Sequence, residues 1–450
     1  MSKVIRAHWI SDAGSGLARR DRLSCDYEAY VPDMLAERSI VLSSQTAADV
    51  ADAERAIALL DAEAATLADT EALARILLRA ESVASSRIEG LEVGARRLLR
   101  AEAAIELGAE TADVTATEVL SNINAMTAAI RRVSPGEPIT LDLLLDFHRQ
   151  LLAGTRLDAH AGAIREEQNW IGGSSYNPCS AAFVPPPPVY VPGLLDDLCR
   201  FCNADDIPAV AQAAIAHAQF ETIHPFVDGN GRTGRALIHL VLRRRGLATR
   251  VLPPVSLVLA TWADDYVLGL DATRYRGPAR STAARDGTDL WVGRFAAACS
   301  RAVSDAESFE EHTRRLQQSW RAQLGSVRTN SATDVLIRRL PGAPILTVSS
   351  AAGLIGRSFN AANDATTRLV EASILRQITV GRRNRAFEAP EVIEAFTALE
   401  RQLASPGGDT RISEPSRRVP RRRRATLVLT PDCREVSVCR RLSGRFEDLA

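Results

Sequence analysis

From residue 46 to residue 107 the chain is dominated by Ala, Leu, Glu and Arg, with apolar residues returning at the spacing of a helix face. Ala53, Ala56, Ile57 and Leu60 form one such stripe. A period of 3.6 residues brings positions three and four apart onto one side, so the pattern predicts amphipathic helices rather than strands. The same patterning predicts helices over 112–132 and 141–152, and again, with breaks, from Pro192 to Gln323. The expected fold class is therefore mainly α. Apolar residues make up 46% and charged residues 24% of the 450, which is ordinary for a globular protein. That length suggests roughly two or three domains.

Two interruptions break the helical pattern. The first runs from Ile164 to Val184, where two short strand-like segments flank Gly172-Gly173-Ser174-Ser175 and end at Pro185–Pro188. This predicts a β-hairpin with a stiff polyproline stop. The second begins near Gly325–Asn330. Beyond it, Ser349 is placed to cap a helix to Ile355, Gly356 to turn, and Asn360–Ala372 to form a second helix. Strands over Ile374–Val380 and Arg385–Phe387 and a last helix from Pro390 complete a plan resembling a winged helix-turn-helix domain. The last segment, 404–450, is rich in Ser, Pro and Arg, with Arg421–Arg424 consecutive, and is expected to be disordered. The expected division is an N-terminal helical region (1–107), a core (108–325), the winged-helix-like domain (331–403) and the tail.

Basic and acidic residues balance at 55 each, so there is no net field to gather nucleic acid. Lys3 is the only lysine, which excludes an internal Schiff base and any phosphate site built on lysine. The seven cysteines are scattered and odd in number, a usage expected of a reducing cytoplasm rather than a disulfide framework. Cys199 and Cys202 form a lone pair with no second pair to complete a zinc site, and Cys433 and Cys439 lie in the tail without a nearby ligand. There is no apolar run long enough to span a membrane and no apolar core in the first residues typical of a signal peptide.

The chemistry concentrates in His224–Arg235, which reads HPFVDGNGRTGR. Pro225 and Phe226 end the preceding helix just after His224. Gly229 and Gly231 flank Asn230, so the backbone there can bend and approach a ligand closely. Arg232 and Arg235 fall three apart on one face of the next helix's first turn, whose free N–H groups and dipole favour anions. Asp228 beside this cradle suits Mg2+, which commonly takes one or two carboxylates plus phosphate oxygens. The imidazole of His224 titrates near neutrality and suits a general base acting on a hydroxyl. A base, a metal ligand and a polyphosphate cradle so close together imply phosphoryl or nucleotidyl transfer to a hydroxyl.

His224–Arg235 resembles the signature of the Fic family, HxFx(D/E)GNGRxxR, at every specified position, with His217, Phe220 and Glu221 also alike. The resemblance covers residues 25–310. It implies a mostly helical fold and transfer of AMP from ATP to a protein hydroxyl, pyrophosphate leaving. Carried over, it makes His224 the catalytic base and Asp228 the magnesium ligand. Gly229, Asn230, Gly231, Arg232, Thr233, Gly234 and Arg235 become the nucleotide-binding set, with Arg235 on the γ-phosphate. Relatives that phosphorylate proteins carry lysine in place of Gly231, so this glycine favours AMP transfer. Residues 168–184 resemble the family flap, where an extended target segment docks by edge pairing. Tyr266 matches an aromatic position of the adenosine pocket; Val267 stands where many relatives have a second Tyr, and Trp262 where a small polar residue is usual.

Ser85, Glu89 and Gly90, within Ser-Ser-Arg-Ile-Glu-Gly, resemble the family's inhibitory motif (S/T)xxxE(G/N) in its N-terminal position. The resemblance implies that Glu89 pairs with Arg235 and so displaces the γ-phosphate. It also brings the expectations of self-modification, of removing AMP from a target as an alternative or second activity, and of a homodimer burying the inhibitory helix. A competing reading is a DNA-binding regulator, with DNA held by residues 331–403 through Arg357, Arg368, Arg376, Arg382, Arg383 and Arg385.

Overall fold

The computed structural model describes residues 1–11, 17–64, 70–108, 113–380 and 384–403. Arg382, Arg383, Cys433, Cys439 and the whole tail, Arg421–Arg424 included, lie outside these residues.

The chain is mainly helical, as its periodicity predicts, and its first elements are the exception. Lys3–Trp9 (β1) and Cys25–Val31 (β2) form an antiparallel hairpin, with Lys3 opposite Val31 and Trp9 opposite Cys25. The N-terminal region is thus not wholly helical. The strands alternate exposed and half-buried positions, a period-2 signal only seven residues long and easily masked by Arg6 and Glu28.

The helix-rich stretch that follows divides into three: Ser44–Ala64 (α1), Thr70–Ile88 (α2) and Ala95–Glu106 (α3). Next come Val114–Arg132 (α4), capped by Asp113, and Leu141–Leu152 (α5), capped by Thr140. In each case the capping side chain accepts a bond from a first-turn N–H that has no helical partner. Val191–Cys202 (α6) carries Cys199 and the fully buried Cys202, both free thiols.

The centre of the protein is a helical hairpin of Ala209–Ile223 (α7) and Asn230–Arg244 (α8), joined by the motif turn. Every residue of α7 is buried, and so is every residue of α8 except Arg243. Alanines in α7 let the neighbouring helices approach closely, and α6, α8 and the long Thr282–Leu324 (α11) pack directly on it. Val255–Thr261 (α9) and Ala263–Ala272 (α10) fill the space between α2 and α11. α1 lies along α11, and Val83, Leu98 and Val119 form a second small core that locks α2 to α3 and α4.

Beyond α11 come Ala332–Arg339 (α12), the short strand Ile345–Leu346 (β3), Val348–Ile355 (α13) and Phe359–Glu371 (α14). Arg376–Val380 (β4), Asn384–Glu388 (β5) and Pro390–Leu403 (α15) complete them, and the strand order is β3-β5-β4. α13 is capped by Thr347 in a reciprocal capping box with Ser350, not by Ser349. This C-terminal unit rests on α2 and α3. A Cβ added at Gly342 would lie 2.8 Å from Ala72 Cα of α2. The buried Glu388 carboxylate bonds Arg376 and has Arg96 and Arg100 of α3 at 3.7 and 3.9 Å. Among the described residues no helix is long and apolar enough to cross a membrane.

Candidate active site

The turn between α7 and α8 is built by its own side chains. Asn230 Oδ1 accepts from the Phe226 N–H at 2.8 Å, and its Nδ2 donates to Phe226 O at 2.9 Å. Asn230 therefore closes the loop rather than facing a ligand. Thr233 Oγ1 donates to Gly229 O at 2.9 Å. Gly229 takes φ +76° to start α8, and His224 itself sits at φ +49°. A left-handed histidine costs about 1 kcal/mol or more, and the surroundings hold it there. Its carbonyl accepts from Arg165 Nε at 2.9 Å and Asn169 Nδ2 at 3.3 Å.

The His224 ring is half-buried, and Nδ1 has no partner. Burial first, then the nearby Arg165 and Arg274, push its pKa down to about 3. The imidazole is thus neutral at physiological pH, the form that accepts a proton. His148 supports the turn from beneath. It stacks on Phe226 with ring centroids 3.7 Å apart, and its Nδ1 accepts from the Gly162 N–H at 3.0 Å. That fixes the proton on Nε2, which donates to Asp228 O at 2.9 Å.

Asp228 and Arg232 stand at the mouth of the loop. The Asp228 side chain is half-exposed, its Oδ1 accepts from the Gly229 N–H at 2.6 Å, and Oδ2 is 3.6 Å from Arg232 Nη2. No group of three or more His, Cys, Asp or Glu among the described residues could hold a metal. A cation here would have one protein carboxylate and would need phosphate and water oxygens for the rest, a set that fits Mg2+ and not zinc.

Arg235 is 1% exposed, and Ser85 and Glu89 meet it. Its Nε donates to Ser85 Oγ at 2.9 Å, and Nη2 donates to Ser85 O and Glu89 Oε1, both at 2.7 Å. Burial, the largest single influence, would lower the guanidinium, but Glu89, Tyr266 and Glu221 together more than offset it and hold it above its ordinary range. Glu89 lies one residue past the end of α2, and Gly90 follows at φ +82°. The contact also explains Gly231: a Cβ there would lie 1.9 Å from Glu89 Oε1. A side chain at 231 would push the Glu89 carboxylate from this position. Gly234 is equally constrained, since a Cβ would meet Glu221 Oε1 at 2.7 Å and Phe220 at 3.0 Å.

Tyr266 is buried, its OH 2.9 Å from His217 Nε2 and its ring packed against Trp291. Behind it, burial pushes the Glu221 carboxyl up to about 7 and His217 down to about 3.

The predicted hairpin over 164–184 is not a ladder. One isolated bridge, Ile171 to Phe183, closes it. Gly172 and Gly173 both have positive φ, and the prolines at 178 and 185–188 lack N–H donors, so pairing cannot propagate. Other residues hold the segment. The buried Arg165 donates to His224 O, Glu167 O and Pro186 O. The β1–β2 hairpin clasps the other side: Trp9 meets Trp170 edge-on at 5.2 Å, and the Tyr30 N–H donates to Val184 O at 3.0 Å. Ser174 Oγ donates to Asp21 at 2.7 Å, and a Cys25–Cys179 disulfide joins β2 to the segment. That disulfide departs from the expectation of a reducing usage without a disulfide framework; partners 154 residues apart leave no spacing signal.

Sequence reasoning missed Arg165, Asn169 and His148, which position the turn without belonging to the motif. The fold and the site define a helical protein with an anion-binding turn sealed by an internal glutamate. Residues 47–131 match the Fic/DOC family N-terminal model and residues 138–242 the Fic/DOC family model. Over these two stretches the chain is similar to the Fic/DOC family. It is similar to protein adenylyltransferase fic-1 of Caenorhabditis elegans, 36% identical over 133 residues, 29% of this chain and 23% of that protein. A probable protein adenylyltransferase of Aquifex aeolicus is 46% identical over 68 residues, 15% of this chain and 21% of that protein. The chain thus spans less than a quarter of either relative's length. A solved Fic family protein of Desulfovibrio desulfuricans superposes with TM-score 0.48 at 22% identity, over 78% of this chain and 97% of that one.

Proposed function

We propose that the protein is an adenylyltransferase that moves AMP from ATP to a hydroxyl side chain of a protein, restrained by Glu89. The observation that carries this reading is the Arg235–Glu89 pair at 2.7 Å inside an otherwise complete anion-binding turn. The N–H groups opening α8, with Arg232 and Arg235, bind the polyphosphate. Magnesium held by Asp228 neutralises charge on the phosphates. Neutral His224 takes the proton of the target hydroxyl as its oxygen attacks the α-phosphorus, and pyrophosphate leaves. The segment 168–184 positions the target, and Tyr266 lies on the adenosine side. While Glu89 occupies Arg235, the γ-phosphate has lost its guanidinium and the α-phosphorus is misplaced for in-line attack.

The test is incubation of wild-type, Glu89→Gly and Glu89→Gly/His224→Ala proteins with α- or γ-labelled ATP and Mg2+, scoring label on the protein itself and in a cytoplasmic lysate. α-Label transferred by Glu89→Gly and lost with His224→Ala is expected. γ-Label alone would make the protein a kinase, and no transfer would favour removal of AMP from targets.

The DNA reading has a narrower footing than the arginine count suggested. Arg368 donates to Leu324 O and Ser326 O, and Arg376 pairs with Glu388. Arg357 and Arg385 remain exposed, Arg357 donating to Asn330 O at 3.4 Å and Arg385 lying over the Phe387 ring at 4.8 Å. A gel shift at low salt checks it; no retardation there removes DNA as a partner.

A further inference from the structure

Away from the motif turn, a cavity of about 430 Å³ lies where α2, α3 and α4 meet the C-terminal end of α8, the 248–252 loop and the start of β3. We propose that this cavity is a second ligand site, one that takes a small organic anion with an apolar body, a phosphate ester or a carboxylate.

Polar donors line it. Arg79 is 8% exposed; its Nη2 donates to both Glu102 oxygens at 2.7 and 2.8 Å, but Nε and Nη1 are buried without an acceptor in the protein. A native fold rarely leaves buried charged donors unsatisfied, since each costs on the order of 1–3 kcal/mol or more. His239, 2% exposed, also lines the cavity and has an unpartnered Nδ1. Arg243 donates to neutral acceptors, the carbonyls of Val133 and Thr249, so its charge is not matched by a bonded carboxylate. The remaining wall includes Leu78, Ile130 and Val251. Glu71, Glu102 and Glu106 also line it, but Arg75, Arg79, Arg131, Arg243 and Arg250 outnumber them, so the wall is net basic beside its apolar patch; convergent polar groups next to apolar surface in a hollow of this size suit a small-molecule site. Part of its wall is α2, whose last residue precedes Glu89, so this site and the Glu89–Arg235 contact share one element.

The test uses the full chain with phenyl phosphate and benzoate at constant ionic strength, followed by melting temperature and calorimetry. Saturable binding with a Kd on the order of 1 mM is expected for probes this small. Arg79→Met should abolish it. Thr127→Trp, which fills the cavity from α4 and leaves the Arg79–Glu102 pair intact, should abolish it as well. Arg232→Ala, in the motif turn, should leave it unchanged. Binding of phenyl phosphate alone assigns phosphate esters, and of benzoate alone carboxylates. Binding that survives Thr127→Trp, binding lost with Arg232→Ala, or no saturable binding of either probe overturns the proposal.

Discussion

The motif turn and the flap face each other across one site, yet they are held by opposite means. In the turn, Asn230 bonds Phe226 and Thr233 bonds Gly229, each across four residues. The flap leans on residues about 150 positions away: Ser174 on Asp21, Cys179 on Cys25, Trp170 on Trp9. A local turn keeps its shape wherever its helices are packed. A segment held from a distance depends on everything that holds it. In the proposed function, chemistry therefore sits on the autonomous element and target docking on the dependent one.

If that division holds, changes in the turn alter the chemical step and leave the fold alone. His224→Ala is expected to lower AMP transfer by about 10²–10⁴-fold, the usual worth of a positioned base, with an unchanged circular dichroism spectrum. Glu89→Gly acts on the same element in the other direction. Freeing Arg235 should raise transfer by about 5- to 150-fold, the range of ordinary coupling energies. An unchanged rate would remove the brake.

Changes at the flap should show in target binding instead. Cys25→Ser, or reduction of the wild type, should raise KM for the protein target while kcat and ATP binding stay near wild type. It should also lower the melting temperature, because a cross-link over 154 residues restricts the unfolded chain by up to about 5 kcal/mol in the entropic account. A fall in kcat with unchanged KM would contradict the division of labour.

Acid tests the buried base of the site. His148 is held near 4, and His217 and His224 near 3, all from an ordinary 6.5. The unfolded chain takes up these protons first, so stability is lost as pH falls below 6.5. Glu221, raised from 4.5 to about 7, works the other way, losing stability as pH rises through that window. Three protons outweigh one. The urea midpoint should therefore fall between pH 6.5 and 4.5, the unfolding free energy dropping by up to about 1.4 kcal/mol per pH unit for each net proton. A flat or rising midpoint would mean that these rings are not buried neutral.

The same contrast explains what could be read from sequence. The helices were legible because α1 and α2 repeat their apolar faces over five turns, and the turn because its parts adjoin one another. Ser85 and Glu89 could be matched to Arg235 only through the resemblance, since nothing local points from one helix to another 150 residues on. The β1–β2 hairpin gave only a short, masked period-2 signal, and Arg165 and the disulfide gave none. Each acts through partners that only the folded chain brings near.

The left-handed backbone of His224 has a consequence for how this protein responds to selection. Glycine would occupy φ +49° without strain, so His224→Gly should melt higher than His224→Ala by about 1 kcal/mol of stability. A screen for heat resistance alone would thus tend to replace the one residue that a screen for activity must keep. Thermal robustness and turnover compete here for a single codon.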